Sequence, residues 1–286
     1  MALSGAELVE VGTTNRTHLR DYTGAITDKT SILLKVHPSN FRIEGFTAKP
    51  ERRELAKLAH ERGLVFIEDA GSGLLVKPDA SGLWEGETDV RTCLEEGVDA
   101  VTFSGDKILG GPQIGVVAGK KTLIDRMRDY PAMRTLRVDK MTLAAFEATM
   151  RLYKKRDYDA VPTLAMLRRT QESLKVQASR LANKLREAAG DAGMVYSVIP
   201  VSDAVGGGSC PAVPLSGWGV AVTVTNQQLG GTGSLQALLR SREPPVICGA
   251  RDDALIIHVR TIRPNDEAEI VRAFADLSAE AAEIKK

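Results

Sequence analysis

The stretch TFSGDKILGGPQIG, residues 102–115, sets a lysine where an apolar run leaves the core. Lys107 follows DAVTFSG and precedes two glycines and a proline, which end regular structure. Lysine is among the residues least often buried, so the position has two readings: a solvated side chain in a turn, or an amine held for covalent chemistry. Asp69 stands in a similar place, ending the apolar run LVFIED just before the small-residue turn AGSG. An acid and a lysine at the ends of nearby strands suit pyridoxal phosphate. That cofactor needs an amine for its Schiff base and a carboxylate to keep its ring nitrogen protonated, and the amine must shed some hydration to react. Ser104 is placed to hold a phosphate oxygen, and Gly105, Gly110 and Gly111 would let the backbone pass close to a ring. By itself this pair is weak evidence, because an aspartate at a strand end often caps the next turn.

Other motifs exclude more than they assign. SGDKILGG is not a P-loop, which needs its lysine after the second glycine. GGGSC (206–210) lacks the spacing of a dinucleotide site, and Cys210 has no acid or histidine beside it in a catalytic pattern. His37, Ser39 and Asn40 follow the run SILLKV and have two accounts: contacts to a cofactor or substrate, or a His-Pro turn with a local asparagine cap. Three cysteines and four histidines, all far apart, argue against a disulfide framework or a metal site.

These residues need a scaffold. SILLKVH (31–37), LVFIED (64–69), DAVTF (99–103) and IGVVAG (114–119) are expected strands. Between them, PERRELAKLAHERG (50–63) opens on proline, gathers Leu55, Ala56, Leu58 and Ala59 on one side and stops at glycine, as a helix does; TDVRTCLEEG (88–97) predicts another. Alternation of this kind predicts a mainly parallel sheet covered on both faces, with ligands at the carboxyl ends of its strands. Further on, TLAAFEATMRLYKK (142–155) and the run from Pro162 to Ala189 read as helices. MVYSVIP, VAVTVT, PVICGA and ALIIHVR read as strands, with a helix near 233–241 and a terminal helix capped by Asn265. The expectation is a large α/β domain over residues 1–157 and a smaller α+β domain over 158–286.

Composition is that of an ordinary globular chain: 286 residues, 43% hydrophobic and 26% charged. There is no apolar run of membrane-spanning length and no basic-then-apolar leader, so a reduced, cytoplasmic, non-metal protein is expected. The net charge of +1 hides a split. Residues 120–186 hold 17 Lys or Arg against 7 Asp or Glu, leaving the remainder acidic. Such a segment suits an anionic partner, although helices exposing mixed charge account for most of it.

TFSGDKILGGPQIGVVAGKK resembles the Schiff-base lysine segment of the bacterial selenocysteine synthases, the L-seryl-tRNA(Sec) selenium transferases. SGAELVEVGTTNRTHLRDY, LLKVHPSNFRIEGFT, FIEDAGSG, RTLRVDKMTLAAFEATMRLY, LSGWGVAV and PPVICGARDDALIIHVRTI agree in order along nearly the whole chain. The resemblance implies an aspartate-aminotransferase-like, fold-type I pyridoxal phosphate transferase, with Lys107 as the Schiff-base lysine and Asp69 as partner of the ring nitrogen. It also implies Asp106, Arg134 and Arg137 at the site of the selenium donor, selenophosphate. RTLR places two guanidinium groups three residues apart, facing one way on a helical turn, and their planar forks match oxyanions. Seryl-tRNA(Sec) as substrate and a homo-oligomer built from dimers, decamer-like, follow from the same likeness.

Members of that family are longer at the amino end, with a small tRNA-gripping domain and a phosphate-binding turn, so the sequence is expected to be a carboxyl-terminal portion or a reduced homologue. Two rival expectations accompany this one. A related pyridoxal phosphate lyase on a small amino acid or amino sugar acid would keep Asp69 and Lys107 without needing the arginine pair. A truncated non-catalytic remnant would fold and pair without turnover.

Overall fold

The computed structural model describes residues 4–38, 41, 43–77, 84, 86–190, 193–206, 209–210, 213–225 and 230–283. The chain forms two units: Met1–Ala165 with Val205–Val213, and Met166–Ala204 with Pro214–Lys286. The break thus falls after the expected residue 157. Residues 158–165 stay with unit 1 because Val161 and Leu164 are buried there and Val161 packs against Gly110.

In unit 1, β1 (Ile32–Val36), β2 (Val65–Gly71), β3 (Ala100–Ser104) and β4 (Gly115–Gly119) form one sheet in that order. The first three strands are parallel and β4 runs antiparallel to β3. Between β1 and β2 lies α2 (Arg52–Glu61), started by a capping box in which Glu54 accepts the Glu51 N–H at 3.1 Å. Its Leu55, Ala56, Leu58 and Ala59 are buried, the stripe that the sequence spacing predicts. Between β2 and β3 lies α3 (Val90–Glu95), capped by Asp89, which accepts the Thr92 N–H at 2.8 Å. At the far ends of β2 and β3, Asp99 accepts the Phe66 N–H at 2.8 Å and contacts His60 at 3.0 Å and Lys120 at 2.5 Å. A short α1 (Leu19–Ala25) precedes β1, while α4 (Lys121–Asp129), α5 (Met133–Leu136) and α6 (Lys140–Lys155) follow β4. Asp139 caps α6 through the N–H groups of Met141 and Thr142.

The predicted helix from Pro162 to Ala189 is two helices, α7 (Pro162–Leu167) and α8 (Gln171–Ala189). Thr170 interrupts it, its hydroxyl accepting the Ser173 N–H at 3.2 Å and starting a new helix. In unit 2 a fully antiparallel sheet has the order β5 (Met194–Asp203), β6 (Leu215–Val224), β8 (Ala254–His258), β7 (Gly249–Arg251). The predicted strand PVICGA contributes only its last two residues to β7. Val246 N–H bonds Leu239 O at the end of α9 (Gly231–Arg240), and Gln236 takes the Cys248 carbonyl at 2.8 Å. The terminal α10 (Pro264–Glu283) starts with proline in its first turn, and Asp266 rather than Asn265 satisfies the end, accepting the Arg263 N–H at 3.0 Å. Leu174, Leu181 and Leu185 of α8, Val220 and Val222 of β6, Ile257 of β8 and Phe274 of α10 make the core. Truncating Phe274 to alanine there would cost roughly 3–5 kcal/mol.

Candidate functional site

Asp69 lies near the carboxyl end of β2, in register with Val36 of β1 and Thr102 of β3. Thr102 Oγ1 donates to Asp69 Oδ1 at 2.9 Å, fixing the carboxylate's rotation. The His37 N–H donates to the Asp69 carbonyl at 2.8 Å, which sets the first residue after β1 beside the aspartate. β2 then bends, with an irregular pairing between Asp69 and Gly71.

The turn after Asp69 interlocks with the loop that carries Lys107. Ile108 N–H donates to Ser72 O at 3.0 Å, and a Cβ on Gly73 would stand 2.1 Å from the Ser104 carbonyl. Gly73 has φ +72°, so the position demands glycine twice, by conformation and by space. Lys107 itself is half-buried between anchors: Ile108 and Leu109 are fully buried, and Tyr153 Oη donates to Leu109 O at 3.1 Å. No described residue makes a hydrogen bond or ion pair with its amine. Cβ atoms on Gly105 and Gly110 would strike Ile114 at 2.3 Å and Val161 at 2.6 Å, and one on Gly111 would crowd Leu109 at 3.1 Å. These glycines let the lysine loop seat against its own neighbours.

His37 leads to a buried polar group that the sequence did not reveal. Its Nε2 is 3.5 Å from Glu87 Oε2, and its Nδ1 is 3.5 Å from Thr88 Oγ1. The Glu87 side chain is 2% exposed, and Glu87 Oε1 accepts the Cys210 N–H at 2.6 Å. Burial alone would push the Glu87 carboxyl up; contacts from His37, the Cys210 N–H and Ser72 outweigh it and hold the group below the usual carboxylate range. Cys210 acts through its backbone, at φ +45°, while burial and then the Glu87 charge push its thiol up to about 12. Nothing in GETD marks Glu87 as buried, because the same residues suit a solvated helix start.

Ser104 is half-buried at the end of β3, and Asp106 is exposed beside Lys107. Asn40 and its neighbour Ser39 lie outside the described residues. Arg134 is in α5 and Arg137 caps it, its N–H still bonded to Met133 O at 2.9 Å, so one turn carries both arginines. Both are exposed, and no described residue pairs with either guanidinium. Among the described residues, hydrogen bonds and close packing join Asp69, His37, Ser104 and Lys107 through their turns; none ties α5 to that group.

Comparison with known proteins agrees along the chain. The family model for L-seryl-tRNA selenium transferase matches residues 1–263. The chain is 44% identical over 276 residues to the L-seryl-tRNA(Sec) selenium transferase of Moorella thermoacetica, covering 96% of this chain and 58% of that protein. It is 43% identical to that of Rhizobium meliloti, with 98% and 60% covered, and 47% identical to that of Solidesulfovibrio magneticus, with 95% and 57% covered. The chain therefore spans less than two thirds of the length of these relatives. Among solved structures, D-glucosaminate-6-phosphate ammonia-lyase superposes with a TM-score of 0.57 at 20% identity, covering 98% of this chain and 66% of that one. The fold is the aspartate-aminotransferase-like, fold-type I architecture that the sequence led us to expect.

Proposed function

The chain belongs to the L-seryl-tRNA selenium transferase family, and from that premise we propose that it carries the catalytic lysine region of an enzyme converting seryl-tRNA(Sec) to selenocysteinyl-tRNA(Sec), with pyridoxal phosphate as cofactor and selenophosphate as donor. One observation carries this reading: the interlocked turns that set Lys107 beside the strand end holding Asp69.

The residues present fit the ring end of the cofactor. Asp69 is half-buried and engaged by Thr102 through Oδ1; no described residue bonds Oδ2, which would meet a protonated ring nitrogen. The Lys107 amine sits on a loop anchored by the buried Ile108 and Leu109, with no competing partner among the described residues, as covalent attachment requires. Ser104 is the residue that would take a phosphate oxygen. When bound, the cofactor supplies an electron sink for carbanion chemistry at an amino acid α-carbon.

Lys107 Nζ would then take the seryl α-proton and hand it to the departing β-hydroxyl, which leaves as water. Arg134 and Arg137, exposed and without side-chain partners among the described residues, orient the anionic selenium donor through their planar forks. Asp106, exposed next to Lys107, serves the same step, and His37 with Asn40 completes the cofactor and substrate contacts. We place this chemistry in a cytoplasmic homo-oligomer built from dimers; no described helix is long and apolar enough to cross a membrane. The test is single-turnover chemistry on seryl-tRNA(Sec) with selenophosphate, following loss of the hydroxyl and gain of selenium separately. Loss of both steps in Lys107→Ala supports the reading, and undiminished turnover by that variant ends it.

A further inference from the structure

We propose that the unit 2 sheet carries a binding cleft for a small phosphate, free or as a monoester, with His258 Nε2 sharing the ligand's proton and Arg251 meeting its charge. The cleft has a volume of about 280 Å³ and is lined by Val201 of β5, Gly249, Ala250 and Arg251 of β7, and Ile256 and His258 of β8. Val201 and Ile256 pack with Ala221 on the face of the sheet opposite the helix-covered core. The volume is just below the roughly 300–1,000 Å³ of most small-molecule sites, so the ligand is small. Among the described residues no acid lines the cleft, and none of the lining belongs to the turns of Asp69 and Lys107 or to α5.

The chemistry of His258 follows from the groups behind it. Arg260 is buried and can only donate; its Nε is 2.8 Å from Asp203 Oδ2, and its Nη2 donates to the Ser216 carbonyl at 2.8 Å. A buried guanidinium needs its partner ionised. An ionised carboxylate only accepts, and Asp203 Oδ1 lies 2.5 Å from His258 Nδ1, so the hydrogen of that contact is on Nδ1. Position 217 of β6 has to be small for these groups to meet: a Cβ there would stand 3.0 Å from Asp203 Oδ2 and 3.2 Å from Arg260 Nη2. Nε2 is the ring nitrogen left for a ligand. The His258 side chain is 39% exposed, and no described residue bonds Nε2. That nitrogen accepts a hydrogen when the ring is neutral and donates one when it is charged. Phosphate suits both states, because close to neutrality it still carries a proton of its own. A carboxylate has lost its proton by then and offers a neutral ring nothing. Arg251 supplies the charge: its contact with Asp252 is 3.5 Å long between two exposed side chains, a pair worth little, and its fork matches an oxyanion.

The test titrates inorganic phosphate into the cofactor-free chain labelled with 15N at histidine, at pH 7.5, with glycerol 3-phosphate, sulfate and acetate as further arms. Of the four histidines, His258 is assigned from the signal lost in His258→Gln. We expect a saturable shift at His258 Nε2 with phosphate. Sulfate has the shape of phosphate without its proton, and it and acetate should bind at least about tenfold more weakly, the worth of one charge-assisted hydrogen bond. Tighter saturation by glycerol 3-phosphate identifies an ester as the ligand; tighter saturation by inorganic phosphate identifies the free ion. Gly249→Val covers the nitrogen. Gly249 is outside the left-handed region and a Cβ there lies 3.7 Å from His258 Nε2, an ordinary contact, so valine suits the strand. The variant should keep the melting temperature and lose the shift. Arg251→Ala, at an exposed position, should weaken binding about tenfold and decides the matter if valine disturbs the strand. An Nε2 signal unmoved by phosphate, equal responses to phosphate and sulfate, binding that survives in a folded Gly249→Val, or full affinity in Arg251→Ala overturns the proposal. Reading the response at His258 separates this cleft from anions held elsewhere, and without cofactor the outcome is independent of the function proposed above.

Discussion

Thr102 Oγ1 donates to Asp69 Oδ1 at 2.9 Å across the parallel pairing of β2 and β3, where the two residues are in register. A strand-end aspartate that merely caps a turn would spend its oxygens on backbone N–H groups. This one is oriented by a neighbouring strand, and no described residue bonds its second oxygen. Asp69→Asn should keep the Thr102 contact and the fold while losing the charge. Selenium transfer should fall by several orders of magnitude, each factor of ten being about 1.4 kcal/mol of barrier, while covalent labelling of Lys107 by pyridoxal phosphate persists. Turnover near the parent's would make Asp69 a structural residue.

Gly73→Ala tests how the two turns interlock. A methyl there meets the Ser104 carbonyl at 2.1 Å and sits at φ +72°, so the turns must part. We expect a loss of at least ~1–3 kcal/mol, read as a lowered midpoint in denaturant, together with weaker labelling of Lys107. Gly63→Ala, at φ +68° with nothing within 4 Å, is the control, and should show only the left-handed cost of roughly 1–2 kcal/mol with labelling intact. Equal labelling in both variants would mean that the turns do not set the lysine.

Acid stability should depend on Asp99. Burial alone would raise its carboxyl, but Lys120, the Phe66 N–H and His60 hold it below its ordinary value of 3.8. A depressed carboxyl contributes stability above its unfolded pKa and loses it as pH falls through the folded one. Asp99→Asn should therefore lower the melting temperature at neutral pH, with the gap to the parent narrowing below about pH 4. A gap that is constant across the acid range would show that the charge of Asp99 contributes nothing.

The arginine pair separates the proposed function from a simple amino acid lyase. Replacing Arg134 and Arg137 by alanine should spare loss of the seryl hydroxyl and abolish selenium transfer; lysine at both positions keeps charge without the fork and should recover part. Should both steps fail together, the arginines hold the substrate or the fold instead.

The sheet of unit 1 was legible because its strands are short apolar runs bounded by turn residues, and Asp69 and Lys107 stood out as polar residues at their ends. The site-specific roles came from long motifs such as TFSGDKILGGPQIG, not from spacing. Glu87 and Thr88 were invisible: in sequence they sit beside a turn glycine before a helix, and only the fold brings His37 and Cys210 to them. The run from Pro162 to Ala189 holds no glycine or proline after its first residue, yet the Thr170 hydroxyl starts a new helix and divides α7 from α8. Just before β7, Gln236, a side chain from another element, takes the Cys248 carbonyl. Such hydrogen bonds between distant residues leave no local pattern to read.

The account stands on Lys107 as the attachment point of the cofactor. Incubating the chain with pyridoxal phosphate, fixing the product with borohydride and mapping the peptides gives the most direct test. The account predicts a pyridoxyl label on Lys107, lost in Lys107→Ala and diminished in Gly73→Ala. A label placed instead on Lys35, Lys140 or another lysine, with Lys107 unmodified, would contradict it.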